Sequence, residues 1–287
     1  MKKQFTSFVL LLSAFSFAQV GIGTTTPNAT AILDLTSTSK GLLPPRMNTI
    51  QRNAITSPAE GLIVYNTDLA CWETYNGVRW VNFASLTSTD VYNPVTRQIW
   101  MDRNLGATRV AISSNDFNAY GSLFQWGRAA DKHQLITWAS ATSGTVVHGT
   151  TSVSSDGDTP PNAFFITAVN SPNDWRTTQN NNLWQGLNGI NNPCPTGYRL
   201  PTEAEWGAEH LSWTSQNAAG AFASPLKLTT PGYRDFSGGT IFVIGTDGHY
   251  WTSTVSGTQA RSIGFTNTIG LFNRNRAMGF SVRCIKG

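Results

Sequence analysis

Charge is what this 287-residue chain has least of. Asp, Glu, Lys and Arg make up 13% of it, against roughly 25% in typical domains. No basic run occurs, so nucleic acid is not expected as a partner. Loss of Lys2 and Lys3 with a leader would lower the formal charge from +4 to +2, so the basic pI reflects a small imbalance. Histidine numbers four: His133, His148, His210 and His249 are scattered, without the i, i+4 spacing that argues for a metal site. No Ser-His-Asp order or phosphate loop stands out. Long apolar runs are missing too, apart from Phe8 to Phe17, which is too short and too early for a membrane span. With Lys2 and Lys3 before it and Ser16-Phe17-Ala18 after it, that run reads as a secretory leader, residues 1–18, cut after Ala18. No lipoprotein cysteine follows it. The expectation is a soluble protein, secreted or held at a bacterial cell surface.

Asn, Thr, Ser and Gly supply the polar surface instead, alongside ten tryptophans. That mixture fits a loop-rich extracellular protein binding through stacking and neutral hydrogen bonds. It fits a passive β-rich surface protein as well. Residues 19–84 read as short strands punctuated by turns, with Ile32 to Leu35 and Leu62 to Tyr65 of strand length and "MNTIQRNAI" as the only passage suited to a helix. Asn76-Gly77, between Tyr75 and Val78-Arg79-Trp80, is a two-residue hairpin signal. These apolar pieces are too thin to bury a core alone. The wording "VGIGTTTP", "LDL", "GLLPPRM", "GLIVYNTD" and "YNGVRW" resembles the N-terminal region of exported bacterial surface proteins and phage tail-fibre-like proteins. The resemblance covers about residues 20–83 and implies an oligomeric stalk or attachment region, often trimeric.

"ASLTSTD", residues 84–90, reads as a linker. The second region, 85–287, takes in most of this linker and continues from Val91 with a turn at Asn93-Pro94, a strand through Gln98 to Met101, and Phe124 and Trp126 as core aromatics. Thr137 to Thr159 is Ser/Thr/Gly-rich and reads as a long loop. In "CPTGYRLPTEAEW", Thr202 and Glu205 form a capping box, Pro201 and Trp206 a hydrophobic staple, and Tyr198 and Leu200 point inward. Glu203, Glu205, Glu209 and His210 are explained by capping and by solvated helix-face charge rather than by acid–base chemistry. Turns are expected at Asp247-Gly248 and Ser256-Gly257. Phe280, Val282 and Cys284 alternate with Ser281, Arg283 and Ile285, the pattern of a half-buried closing strand. In an exported protein Cys194 and Cys284 make a plausible disulfide, although three cysteines leave three connectivities open. Cys71 would then be free or would cross-link chains.

"CPTGYRLPTEAEW", "YWTST", "ARSIGF" and "RAMGFSVRCIK", preceded by "WMDRNLGA" and "YGSLFQWGRAAD", resemble the Fibrobacter succinogenes major paralogous domain family. That family belongs with the C-type-lectin-like folds, which include formylglycine-generating proteins. The resemblance spans about residues 90–287. It implies an α+β domain whose first and last strands pair, with irregular loops carrying specificity. Formylglycine-generating chemistry needs two close reactive cysteines in a cleft; Cys194 and Cys284 flank structural motifs, so an enzyme is not expected. Lectins of this type can hold calcium on carboxylates, which makes Asp156, Asp158 and Asp174 candidates, though such residues also serve turns. Ligand contacts are expected from Asn267, Phe272, Asn273, Arg274, Asn275 and Arg276 in a short connection before the closing strand, a mixture suited to recognition. Trp251 joins them or sits in the core. "FNRNRAMGF" also resembles variable regions that a reverse-transcriptase system diversifies. The expected function is recognition or adhesion, with a glycan or surface protein as ligand. The alternative is a structural envelope or matrix component with no discrete ligand.

Overall fold

The computed structural model describes residues 19–77, 80–82 and 89–287, apart from the side chain of Asn82. The expected leader and most of the expected linker lie outside the described residues. The chain divides into two compact units, Met1–Ser85 and Leu86–Gly287.

The first unit is built from β1 (Val20–Ile22), β2 (Leu33–Leu35), β3 (Arg46–Met47), α1 (Thr49–Asn53), β4 (Ile63–Asn66), β5 (Cys71–Tyr75) and β6 (Trp80–Asn82). β1 and β2 form a parallel pair, and the other four strands make a second sheet in the order β3-β4-β5-β6. Asn48 caps α1 and exchanges hydrogen bonds with Gln51 in a capping box, so the one expected helix forms where local chemistry supports it. The hairpin at Asn76-Gly77 is present, with Gly77 at φ +86. Tyr75 pairs with Trp80; Val78 and Arg79 lie outside the described residues. Among the described apolar side chains of this unit only Val64 is buried. The interior is polar instead: Glu73 is held by Arg52 and accepts from Asn66 Nδ2 at 2.8 Å.

The second unit begins with β7 (Asp90–Asn93), β8 (Gln98–Met101), β9 (Phe124–Gln125), β10 (Ile136–Ser140), β11 (Ser143–Val146), β12 (Thr150–Thr151) and β13 (Phe165–Ile166). It continues through β14 (Tyr198–Arg199), α2 (Glu203–Leu211), α3 (Ala218–Ala223), β15 (Tyr233–Arg234) and β16 (Ile241–Phe242). It ends with β17 (Gly248–Ser256), β18 (Gln259–Phe265), β19 (Ile269–Arg274), β20 (Gly279–Phe280) and β21 (Ile285–Lys286). Strands and loops dominate. The supposed loop at 137–159 contains the β10–β11 hairpin, because Ile136, Trp138 and β-branched threonines suit a pleated surface. Gly248 pairs with Phe265 inside β17 rather than turning, whereas Gly257, at φ +58, does occupy the β17–β18 turn.

β17 and β18 run through the centre. Trp251 and Ala260 face one cluster with Phe124, Trp126, Trp184 and Phe280. Tyr250, Ile263 and Phe265 face the other, with Trp100, Trp206 and Leu228. Burying polar indole nitrogens costs stability unless they are bonded. Trp126, Trp175, Trp184, Trp206 and Trp251 each donate to a main-chain oxygen, at 2.7–3.2 Å.

The "RLPTEAEW" stretch is a hub of this scaffold. Thr202 accepts from Glu205 N–H, and Glu205 accepts in return from Thr202 N–H. Arg199 grips the same carboxylate through both Nη atoms, at 2.8 and 2.6 Å. Trp206 then packs 4.8 Å from Trp100 and 5.7 Å from Tyr250. Glu209 is not a solvated charge but fully buried, accepting from Asn93 Nδ2 at 2.8 Å and Trp213 Nε1 at 3.2 Å. The closing segment pairs with the start of the unit: Ile285 lies opposite Trp100, and Met101 N–H donates to Cys284 O. Cys194 and Cys284 are disulfide-bonded. The expected half-burial of the closing strand is corrected, since Ser281, Arg283 and Ile285 are as buried as Phe280, Val282 and Cys284. Arg283 is accommodated by donating to Asn104 Oδ1 at 2.8 Å and Leu226 O at 2.6 Å.

Candidate functional site

The passage "TIGLFNRNRAMG" is not a loop. Residues 269–274 form β19, which pairs with β18 in antiparallel register, Ser262 opposite Phe272 and Ala260 opposite Arg274. Strand order is β17-β18-β19, so β19 is an edge strand. Its alternation divides the expected ligand contacts between two faces. Phe272 and Arg274 share a face with His249, Trp251, Ser262 and Gly264. Asn273 lies on the opposite face, where its Oδ1 accepts from Arg261 Nη1 at 2.8 Å. Asn275 accepts from Gln259 Nε2 at 2.9 Å, and Asn267 is exposed between β18 and β19.

Two of the expected contacts are corrected. Trp251 is fully buried, 4.4 Å from the Phe280 ring. Arg276 is 1% exposed. Its guanidinium lies 4.7 Å over Trp126 and donates to Asn181 Oδ1 at 2.7 Å, so it ties loops together rather than meeting a ligand.

The exposed members form a patch that reaches beyond β19. Phe272 is 40% exposed and carries the Arg274 guanidinium 4.8 Å over its ring. Among the described residues Arg274 has no hydrogen-bond or ion-pair partner, and its Nε is buried without an acceptor. Burial holds its pKa below the ordinary arginine value. His249 stands nearby, stacked on Phe280 at 5.1 Å and edge-on to Tyr233 at 5.2 Å. Both of its ring nitrogens are buried without partners. Burial, reinforced by the positive charge of Arg274, pushes its pKa down to about 4, so the imidazole is neutral at neutral pH. Tyr233 leads outward to Phe242, 5.8 Å away and 45% exposed. Sequence reasoning missed Tyr233, Phe242, His249 and Ser262. Only the shared parity of His249 with Trp251 in "GHYWTSTV" hinted that the histidine faces the same way.

The calcium candidates are engaged otherwise. Asp156 accepts from Thr177 Oγ1 at 2.8 Å. Asp158 pairs with Arg176 and accepts from Asn180 Nδ2. Asp174 is buried and receives Arg176 N–H and Gln179 Nε2, with Arg276 3.8 Å away. Burial raises its pKa. These carboxylates organise a loop and are partly neutralised by arginines. Among the described residues no three His, Cys, Asp or Glu side chains gather as a metal site. None of the described helices is long and apolar enough to cross a membrane.

No curated protein and no solved structure matches the chain. A sequence family described as a phage tail like trimerisation region matches residues 21–96, that is, the first unit and the start of the second.

Proposed function

We propose that this is an exported, surface-displayed recognition or adhesion protein. Its N-terminal unit assembles the chain, and its C-terminal unit, of C-type-lectin-like type, binds a glycan or surface protein. The trimerisation match at residues 21–96 supports a homo-oligomer of tail-fibre-like character. The observation that carries the binding reading is Arg274, an edge-strand guanidinium without a protein acceptor among the described residues, lying on an exposed aromatic ring. Aromatic and arginine side chains clustered at a surface are the usual anchors of recognition. A binding role is favoured over catalysis because Cys194 and Cys284 are joined in a disulfide and His133 and His249 are buried.

The test is a glycan and surface-protein binding screen with the mature chain, run with calcium and with chelator. Saturable binding, lost in Phe272→Ala and Arg274→Ala but unchanged in Asn267→Ala, is the expected result. Chelator sensitivity would return Asp156, Asp158 or Asp174 to consideration as calcium ligands. A folded chain that self-assembles and binds nothing would make it a structural envelope or matrix component.

A further inference from the structure

β19 is an edge of its sheet, and the direction of its main-chain groups follows from its neighbours. Trp251 N–H donates to Ser281 O, and Ser281 N–H donates to His249 O. His249 and Trp251 therefore turn these main-chain groups away from β18, while Tyr250 turns toward it, opposite Ile263. Alternation then points Ser262 and Gly264 at β19, where they face Phe272 and Gly270. Ile269, Leu271 and Asn273 are left with N–H and C=O directed outward, repeating every ~6.8 Å along the strand. Among the described residues no strand and no main-chain group meets them. Arg261 Nη2 comes within 3.5 Å of Leu271 O, too long for a firm hydrogen bond. Edge strands are commonly blunted by proline, lysine or a bulge. β19 has none of these and keeps six consecutive pairs in unbroken register. Ile269 and Leu271 pack against the second aromatic core, so the edge is held in strand form.

We propose that an extended acidic segment of a partner protein adds to β19 as a further antiparallel strand. The inference rests on the recognition reading above and narrows its ligand to protein. Ladder bonds to Ile269, Leu271 and Asn273 hold the segment, at a repeat that a peptide main chain matches and a sugar does not. Specificity comes from the face that carries Phe272 and Arg274. Positions opposite these two are non-hydrogen-bonded pairs, where cross-strand side chains come closest. Phe272, 40% exposed, receives an apolar side chain. Arg274 Nε is buried, but its Nη atoms are not closed off in that way, and a guanidinium with free donors matches a carboxylate. Because the added strand runs opposite to β19, its motif reads acidic–any–apolar from the N-terminal side. A second copy of β19 is a poorer occupant. Residues 266–276 contain two arginines and neither Asp nor Glu, so self-pairing brings Arg274 no carboxylate.

The experiment titrates a fluorophore-labelled peptide, Thr-Glu-Thr-Val-Thr-Val-Thr, with the whole chain and follows polarisation. Expected is saturable binding, weakened about tenfold when the glutamate becomes glutamine or in Arg274→Gln. N-methylation of the third and fifth residues, which lie opposite Asn273 and Leu271, should abolish binding because their N–H groups face β19. N-methylation of the glutamate or of the first valine, whose N–H groups face away, should be tolerated; contact through side chains alone would not separate the two sets. Asn273→Pro removes one outward N–H and spares the β18 ladder, which runs through Gly270, Phe272 and Arg274. It should lose peptide binding and keep its near-ultraviolet circular dichroism. Absence of saturable binding, or affinity indifferent to the position of the N-methyl group, would overturn strand addition. Equal affinity of the glutamine peptide would overturn the acidic assignment. Self-association that Asn273→Pro dissolves, without peptide binding, would give the edge to a second copy instead. Failure here with saturable binding in the glycan screen would leave the recognition reading standing without this inference.

Discussion

Arg283 has no carboxylate within ion-pair distance among the described residues, yet it is 1% exposed. Its charge is spread over Asn104 Oδ1 and the carbonyls of Met101 and Leu226. Burial pulls its pKa down to about 10, so it remains charged at neutral pH. Arg283→Ala would leave these acceptors dry and unpaired. The expected loss is on the order of 3 kcal/mol or more, measured as the change in urea midpoint. The buried histidines act in the opposite sense, by refusing charge. His133 Nε2 accepts Gln125 N–H at 3.0 Å, and burial pushes its pKa, like that of His249, down to about 4. A depressed pKa gives stability that is complete above the unfolded value near 6.5 and is lost as pH falls toward 4. Each histidine should lower unfolding free energy by about 1.4 kcal/mol per pH unit in that window. Glu209 and Asp174, raised by burial, bind protons earlier in the folded state and offset part of the loss. Urea titrations at pH 7, 6 and 5 should show the decline, and His249→Phe, which keeps the stack on Phe280, should flatten it. A slope identical in wild type and His249→Phe would remove that histidine from the account.

α2 shows how much of an element can be local. Thr202, Glu205 and Trp206 stand at spacings that specify a capped helix start, and the helix begins at Glu203. Thr202→Ala should cost about 1 kcal/mol through loss of the cap, visible as a lowered Tm without loss of fold. The Cys194–Cys284 bridge closes a separation of 90 residues. Reduction should cost about 4–5 kcal/mol on the chain-entropy account, read from urea midpoints with and without reductant. The helix start was legible because its determinants lie within a few residues of one another, whereas the bridge was one of three connectivities the sequence left open. The candidate site was legible only in part. "FNRNR" announces aromatic, amide and cationic side chains, but whether they share a face depends on strand parity, and β19 sends Asn273 the other way. Arg276 reads as a surface residue until Asn180, Asn181 and Gly257 arrive from distant segments to receive it. Burial of Glu209 and Arg283 was hidden for the same reason, since their partners Asn93 and Asn104 come from far along the chain.

At the scale of the whole molecule, the two units differ in how they are held together. Leu86–Gly287 has two extended aromatic cores, whereas the described part of Met1–Ser85 buries only Val64 among its apolar side chains. Ile22, Ile32, Leu42, Leu43 and Ile50 are each more than half exposed, and a recess of about 730 Å³ is lined by Ile22, Leu35, Leu42 and Leu43. Burial of apolar surface contributes about 25 cal/mol per Å², so a unit that leaves this much in water gains most by covering it with copies of itself. The trimerisation match falls on these residues. The chain should sediment as a trimer, and Leu42→Asp with Leu43→Asp should release monomers. Because the second unit has its own cores and disulfide, those monomers should keep its near-ultraviolet circular dichroism and the single-site affinity of the proposed binding face. Avidity for a multivalent surface should fall by about a hundredfold, since linked sites gain 10² to 10⁴ over one. Retention of the trimer in the double variant would move the assembly surface away from this recess, and loss of single-site affinity along with the trimer would mean that the binding face is completed between chains.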